Sequence, residues 1–181
     1  MKKFLILTLL FGVCSITSAQ YRGGGGGDKF YFGGGFGLSI GTDYTSISAS
    51  PLVGYKITDE FSAGLQTTYQ YVSYPDFDLK FSNYGGGPFT RYVIEDRYIV
   101  HAEYEILSFE YTNGIPDPGT GDLQTFRDTY SALWLGGGYR ESLGRNAGFF
   151  LLALYNVLYD ETEPSPYASP LSIRAGVAVG F

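Results

Sequence analysis

The chain has 181 residues, with 18 Asp and Glu against 12 Lys and Arg and a formal net charge of −6. That shortage of cations argues against nucleic acid as a partner, since affinity there rests on Lys and Arg neutralising phosphates, and the length fits one domain. Aromatics reach 18%, with 17 Tyr and 14 Phe, alongside 26 Gly; soluble sandwiches seldom need so many rings, whereas membrane barrels place them at both water–lipid boundaries.

Residues Met1–Ala19 read as a cleaved export signal. Lys2 and Lys3 form a positive n-region, Phe4 to Val13 an apolar core, and Thr17-Ser18-Ala19 a small-residue cleavage site. The apolar stretch is shorter than the ~20 residues a spanning helix requires. Cys14 is the sole cysteine and lies inside this leader. Lipidation there would need a small residue upstream, and Val13 is not one. Cleavage at Ala19 leaves no thiol for a disulfide, a metal or a nucleophile. It also removes two of the 12 cations, so the mature chain carries 10 against 18 acids, a net charge of −8. Residues 20–28 contain Gly23–Gly27 and read as a flexible lead-in.

The rest, residues 29–181, divides into eight alternating segments, a number allowed for the smallest closed barrels. They are Lys29–Gly41, Ser46–Ile57, Phe61–Tyr74, Tyr84–Ile94, Arg97–Tyr111, Leu123–Arg140, Ala147–Tyr159 and Ser169–Phe181. Thr58-Asp59-Glu60, Glu95-Asp96 and Glu141–Asn146 are short turns. Pro75–Asn83, Thr112–Asp122 and Asp160–Ala168 are longer connections rich in Pro, Gly, Asp and Ser, with Thr42–Thr45 the brief exception on that side. Membrane barrels show this asymmetry, and an even strand number puts both termini on the short-turn side, predicted to be periplasmic. Gly85-Gly86-Gly87-Pro88 weakens the fourth segment. The seventh is apolar on both faces, so a helix from Phe149 to Leu158 is an alternative there.

If this is a barrel, the lipid-facing residue at each short-turn end should be aromatic, because amphipathic rings prefer the headgroup level. Phe30, Tyr55, Phe61, Tyr92, Tyr98, Tyr139, Phe149 and Phe181 meet that requirement, each with the parity of its strand's apolar set. Tyr69, Tyr71, Tyr84, Tyr155 and Tyr159 supply a partial second girdle.

In the last segment Leu171, Ile173, Ala175, Val177, Val179 and Phe181 share one face, with Ser172, Arg174, Gly176, Ala178 and Gly180 on the other. Arg174, Gly176, Val179 and Phe181 fall at the positions of a terminal barrel-insertion signal: polar, any, Gly, two of any type, apolar, any, aromatic. An edge strand of a soluble sheet is the alternative, though such edges usually carry charge or Pro. The segment resembles the ending of outer-membrane barrels. The chain as a whole is similar to the small eight-stranded OmpA/OmpX-type barrels and the porin-family outer-membrane proteins of Bacteroidota type. Pro88-Phe89-Thr90-Arg91-Tyr92 before a short turn also looks like that group's middle hairpin. The resemblance implies a closed antiparallel eight-stranded transmembrane β-barrel in a Gram-negative outer membrane. It also implies contact with outer-membrane lipid and recognition by the barrel-assembly machinery during biogenesis.

Under this register Lys56, Arg91, Arg97, His101, Glu103, Glu105, Arg140 and Arg174 point inward, with Gln66, Gln70 and Asn156. Enclosed charges must be paired, and the simplest arrangement sets Glu103 and Glu105 against some of Arg91, Arg140 and Arg174. This network reads as a filled polar interior that fixes the register; a gated ion path or proton relay is the alternative.

Enzymatic chemistry finds little support. His101 lies near a short turn and points inward, the wrong end and face for a rim hydrolase. Glu103 and Glu105 need no acid–base role beyond ion pairing. No His or Cys cluster suggests a metal; carboxylates in Asp117–Asp122 or Asp160–Glu163 are the conceivable Ca²⁺ ligands. The glycine runs lack the strand-to-helix context of a phosphate loop. No cofactor is expected. Three functions remain open: a structural or interaction barrel with envelope protein partners, a narrow channel for small solutes or ions, and a soluble lipocalin-like carrier with its apolar face inside.

Overall fold

The computed structural model describes residues 29–40, 45–75, 79–116, 123–144, 147–167 and 169–180. The predicted leader, the whole of the Gly-rich lead-in and Phe181 lie outside them. Every regular element among the described residues is a strand: β1 (Phe30–Ile40), β2 (Thr45–Lys56), β3 (Phe61–Tyr74), β4 (Leu79–Ile94), β5 (Tyr98–Pro116), β6 (Leu123–Ser142), β7 (Ala147–Asn156) and β8 (Leu171–Val179). Each pairs antiparallel with its neighbour in sequence, and β8 returns to β1, closing the barrel. Continued once around the ring, the registers displace the trace by about ten residues along β1, the kind of stagger that tilted strands need to close.

The helical alternative at Phe149–Leu158 is overturned. β7 runs through Ala147–Asn156, with Phe150, Leu152 and Leu154 buried and Phe149, Leu151 and Tyr155 exposed in strict alternation. Both faces are apolar because the inward one joins an internal hydrophobic cluster. Nor does Pro88 break its strand, since β4 is continuous and Pro88 sits opposite Leu65.

β4 and β5 are longer than expected. Leu79–Asn83 extends β4 and pairs with Gln70–Tyr74, while β5 continues to Pro116 after a register shift between Thr112 and Pro116. The inside-polar pattern reverses in this region. Phe81 and Phe109 face inward and are buried, and Phe109 meets Tyr111 and Tyr130 ring to ring.

The short turns follow local chemistry. Thr58 Oγ1 accepts from the backbone N–H of Glu60 and Phe61 and donates to Glu60 Oε2, so one hydroxyl organises the β2–β3 turn. Glu95 and Asp96 have φ of 51° and 58° between Ile94 and Arg97, which are joined by a backbone bond. Two consecutive positive φ values give the mirror-image turn whose twist matches paired strands.

The surface is inverted relative to a water-soluble sandwich. Phe36 is 80% exposed, Ile173 72% and Leu65 60%, and the outward faces of all eight strands carry such residues. Arg91, His101, Glu103 and Glu105 are each 2% exposed or less.

Candidate functional site: the interior of the barrel

The inward face divides into two zones. Toward the short turns it is packed shut by Tyr31, Leu52, Phe89, Ile99, Phe150, Leu152 and Ala178. Small residues admit these rings: a Cβ on Gly54 would fall 2.0 Å from the Tyr31 ring, and one on Gly64 2.6 Å from Phe89. Tyr31 reaches across to Ser62, hydroxyl to hydroxyl, at 3.0 Å. The interior is thus apolar at this end, where the expected polar filling gives way to the inward apolar face of β7 and the rings it meets.

Above this plug lies a charge relay built on β4, β5 and β8. The Arg91 guanidinium sits over the Phe89 and Phe150 rings, 4.8 and 4.5 Å from their centroids. Its Nε donates to His101 Nδ1 at 3.2 Å, so His101 carries its proton on Nε2 and donates it to Glu103 Oε2 at 3.1 Å. Arg174 Nη1 donates to both Glu103 oxygens, at 3.0 and 2.9 Å, and Gln66 approaches Oε1 at 3.4 Å. Arg174 also lies 4.9 Å from the Trp134 ring and 3.9 Å from Glu105.

Glu105 is the second hub. It accepts from Thr68 Oγ1 at 3.0 Å, Trp134 Nε1 at 3.0 Å and the Tyr167 hydroxyl at 2.6 Å. Tyr167 comes from the β7–β8 connection and folds back over Trp134, ring centroids 4.9 Å apart. Burial, with the Glu105 carboxylate adding to it, pushes the Tyr167 hydroxyl well above the ordinary tyrosine range. With His101 neutral, two glutamates face two arginines. That balance is what allows charges to persist in a low-dielectric enclosure, because an unmatched ion there is costly.

The predicted network residues are placed unequally. Arg91, Glu103, Glu105 and Arg174 come together, Arg91 through His101. Arg140 stands at the short-turn rim, donating from Nε to the Asp96 carbonyl at 3.0 Å, because its register sets it opposite Arg97 next to the 95–96 turn. Arg97 itself is exposed in that turn rather than inward. Of the residues expected to form an insertion signal, Arg174 and Gly176 face in and Val179 faces out. Along the girdle, Phe30 pairs with Tyr55, Phe61 with Tyr92 and Tyr98 with Tyr139 across their hairpins, and Phe149 opposes Val177. Phe30–Tyr55 and Tyr98–Tyr139 meet edge to face. On the other side Tyr69 and Tyr84 are direct partners, both exposed.

Trp134 and Thr68 were missed as partners, although Trp134 shares the parity of Arg140. Tyr167 carried no sequence signal, since a loop residue has no strand parity. Of the carboxylates considered for Ca²⁺, Asp160 Oδ1 takes both the N–H and hydroxyl of Thr162, which hold it below the usual carboxylate range. The 117–122 segment lies outside the described residues.

Over the relay opens a cavity of about 510 Å³. Hydroxyl and amide groups of Ser48 and Ser50 of β2, Thr68 and Gln70 of β3, and Ser172 of β8 line its wall among apolar side chains, and its floor holds Glu103, Glu105 and Arg174 beside Phe150 and Leu152. Gln70 joins Ser46 and Asn83 across three strands, continuing these polar groups upward. No family model matches the sequence, and no curated protein is significantly similar to it.

Proposed function

We propose that this chain is an integral outer-membrane β-barrel protein, reached through a cleaved export signal, with both termini periplasmic. It acts without catalysis as a structural and interaction element of the envelope through its loop end. One observation carries the reading: side chains are sorted the wrong way round for water. A belt of exposed Phe, Leu, Ile and Val rings the outside, and the Glu103 and Glu105 carboxylates with their arginine partner Arg174 lie within. Strand-to-strand pairing around the closed ring satisfies most backbone groups internally, which is what hydrocarbon favours. Aromatic residues at the short-turn ends agree with a headgroup boundary. The family resemblance of the last strand and of the Phe89–Tyr92 hairpin belongs to the same proposal.

A soluble carrier would put that belt inside, and its exposed apolar area would drive association in water. Carbonate extraction of membranes from expressing cells tests the proposal. The expected result is retention in the pellet and a band whose gel mobility changes on boiling. Release into the carbonate supernatant would overturn it. The apolar plug of Phe89, Phe150 and Leu152 favours a closed lumen over a channel, so planar bilayers containing the purified protein should show no steady conductance.

A further inference from the structure

The barrel's closing seam is incomplete on one side. β1 pairs with β2 along its whole length and β8 with β7 along its whole length. Between β1 and β8, however, the ladder covers only Phe32–Gly35 against Gly176–Val179. Residues 36–40 and 171–175 therefore leave two strand edges facing each other without a ladder between them, among the described residues. The 510 Å³ cavity reaches this interval. Gly35, Phe36 and Gly37 line it from one edge, and Ile173, Arg174 and Ala175 from the other.

An unladdered edge is expensive in hydrocarbon unless it borders water or a partner that can hydrogen-bond. Here it borders both a cavity that presents hydroxyl and amide groups and an apolar rim. Phe36, Leu171 and Ile173 are 80%, 67% and 72% exposed on the outward side of the interval. Inside stand the Ser48, Ser50 and Ser172 hydroxyls, Thr68 and Gln70. An occupant that satisfies the whole arrangement has a hydrogen-bonding head and an apolar tail. The head must be uncharged, because Glu103 and Glu105 already balance Arg91 and Arg174 and a further ion would break that balance. A volume of about 510 Å³ suits a small polyol head with a few methylenes.

We propose that the cavity binds a neutral single-chain amphiphile with a hydroxyl-bearing head, entering sideways from the bilayer between β1 and β8. This rests on the membrane reading above. The head lies against the β2–β3 wall under Tyr167, and the acyl chain leaves past Phe36 and Ile173.

Trp134, the only tryptophan of the chain, touches Tyr167 and bonds Glu105, both of which line the cavity. It reports occupancy directly. The probe is a monoacylglycerol brominated near its carbonyl, titrated into the full protein in phosphatidylcholine nanodiscs. Saturable quenching of Trp134 is expected, reversed by unbrominated monoacylglycerol but not by free glycerol. Ser48→Phe, and independently Ser172→Phe, should weaken binding at least tenfold while the heat-modifiable fold is retained; whichever variant keeps the fold is scored. A brominated anionic lysolipid should bind at least tenfold more weakly. Quenching that never saturates, that survives in the folded variant, that free glycerol reverses, or that the anionic probe matches would each overturn the inference. Protein that is membrane-embedded and heat-modifiable yet does not bind refutes this inference alone. Protein that never enters the bilayer refutes the membrane reading instead.

Discussion

Replacing Glu103 with Gln keeps the shape of the relay and removes its central charge. Arg174 Nη1 holds both oxygens of the wild-type carboxylate, and a hydrogen bond to a charged group contributes about 1.5–3 kcal/mol. The amide also meets a second conflict. Because Arg91 Nε occupies His101 Nδ1, the imidazole must present its N–H to residue 103. An amide nitrogen turned that way opposes donor to donor. Turned over, the amide oxygen still accepts from His101 and Arg174, but its nitrogen then faces the donors Arg174 Nη1 and Gln66 Nε2. That donor-to-donor contact leaves a buried polar group unsatisfied, at about 1–3 kcal/mol, and the interior keeps one uncompensated positive charge. The expected loss is about 3–5 kcal/mol, the cost of removing one partner from a buried pair. Urea unfolding in phosphatidylcholine vesicles, followed by Trp134 emission, measures it. Adding Arg174→Met restores neutrality, so the double variant should be more stable than the sum of the single losses by about 1–3 kcal/mol. A loss below about 0.5 kcal/mol for Glu103→Gln, or strict additivity with Arg174→Met, would show that charge balance does not hold the interior.

Other outcomes follow from the same geometry. Leu65→Arg on the outward face should cost about 2–4 kcal/mol of folding free energy in vesicles if Leu65 faces lipid near mid-depth; in water an exposed substitution rarely exceeds about 0.5 kcal/mol, so a neutral result in vesicles contradicts the orientation. Gly54→Ala drives its methyl into the Tyr31 ring and should lower stability by about 1–3 kcal/mol, the usual cost of overpacking, visible as a reduced urea midpoint. For Tyr167 the phenol is protonated in folded and unfolded chains alike below the ordinary tyrosine pKa, so its contribution is complete there. Above about pH 10 the unfolded chain releases the proton first, and stability falls with rising pH. Tyr167→Phe should flatten that alkaline decline; an unchanged pH profile would place the hydroxyl outside the enclosed site.

The architecture was legible because a strand writes its two environments into alternate residues. Ile99, His101, Glu103 and Glu105 inward against Tyr98, Val100 and Tyr104 outward needs only parity to interpret. The reading faltered where the contrast between faces vanished. β7 is apolar on both sides because its inner face belongs to the plug, so periodicity could not separate strand from helix. Pro75–Asn83 reads as a loop from its Pro, Asp and Ser, and the strand pairing of Leu79–Asn83 is masked because apolar Phe81 and polar Asn83 share one face.

By itself, then, the chain determined strand number, the direction of most strand side chains and the enclosure of Arg91, Glu103, Glu105 and Arg174, since these depend on local alternation and on the connections between strands. Only the folded barrel decided that Arg91 reaches Glu103 through His101 while Arg140 stops at Asp96, that Tyr167 returns to Glu105, and that the β1–β8 ladder ends at Gly35. Those outcomes depend on stagger between strands distant in sequence and on a loop's path through space, and neither leaves a periodic trace in the residues.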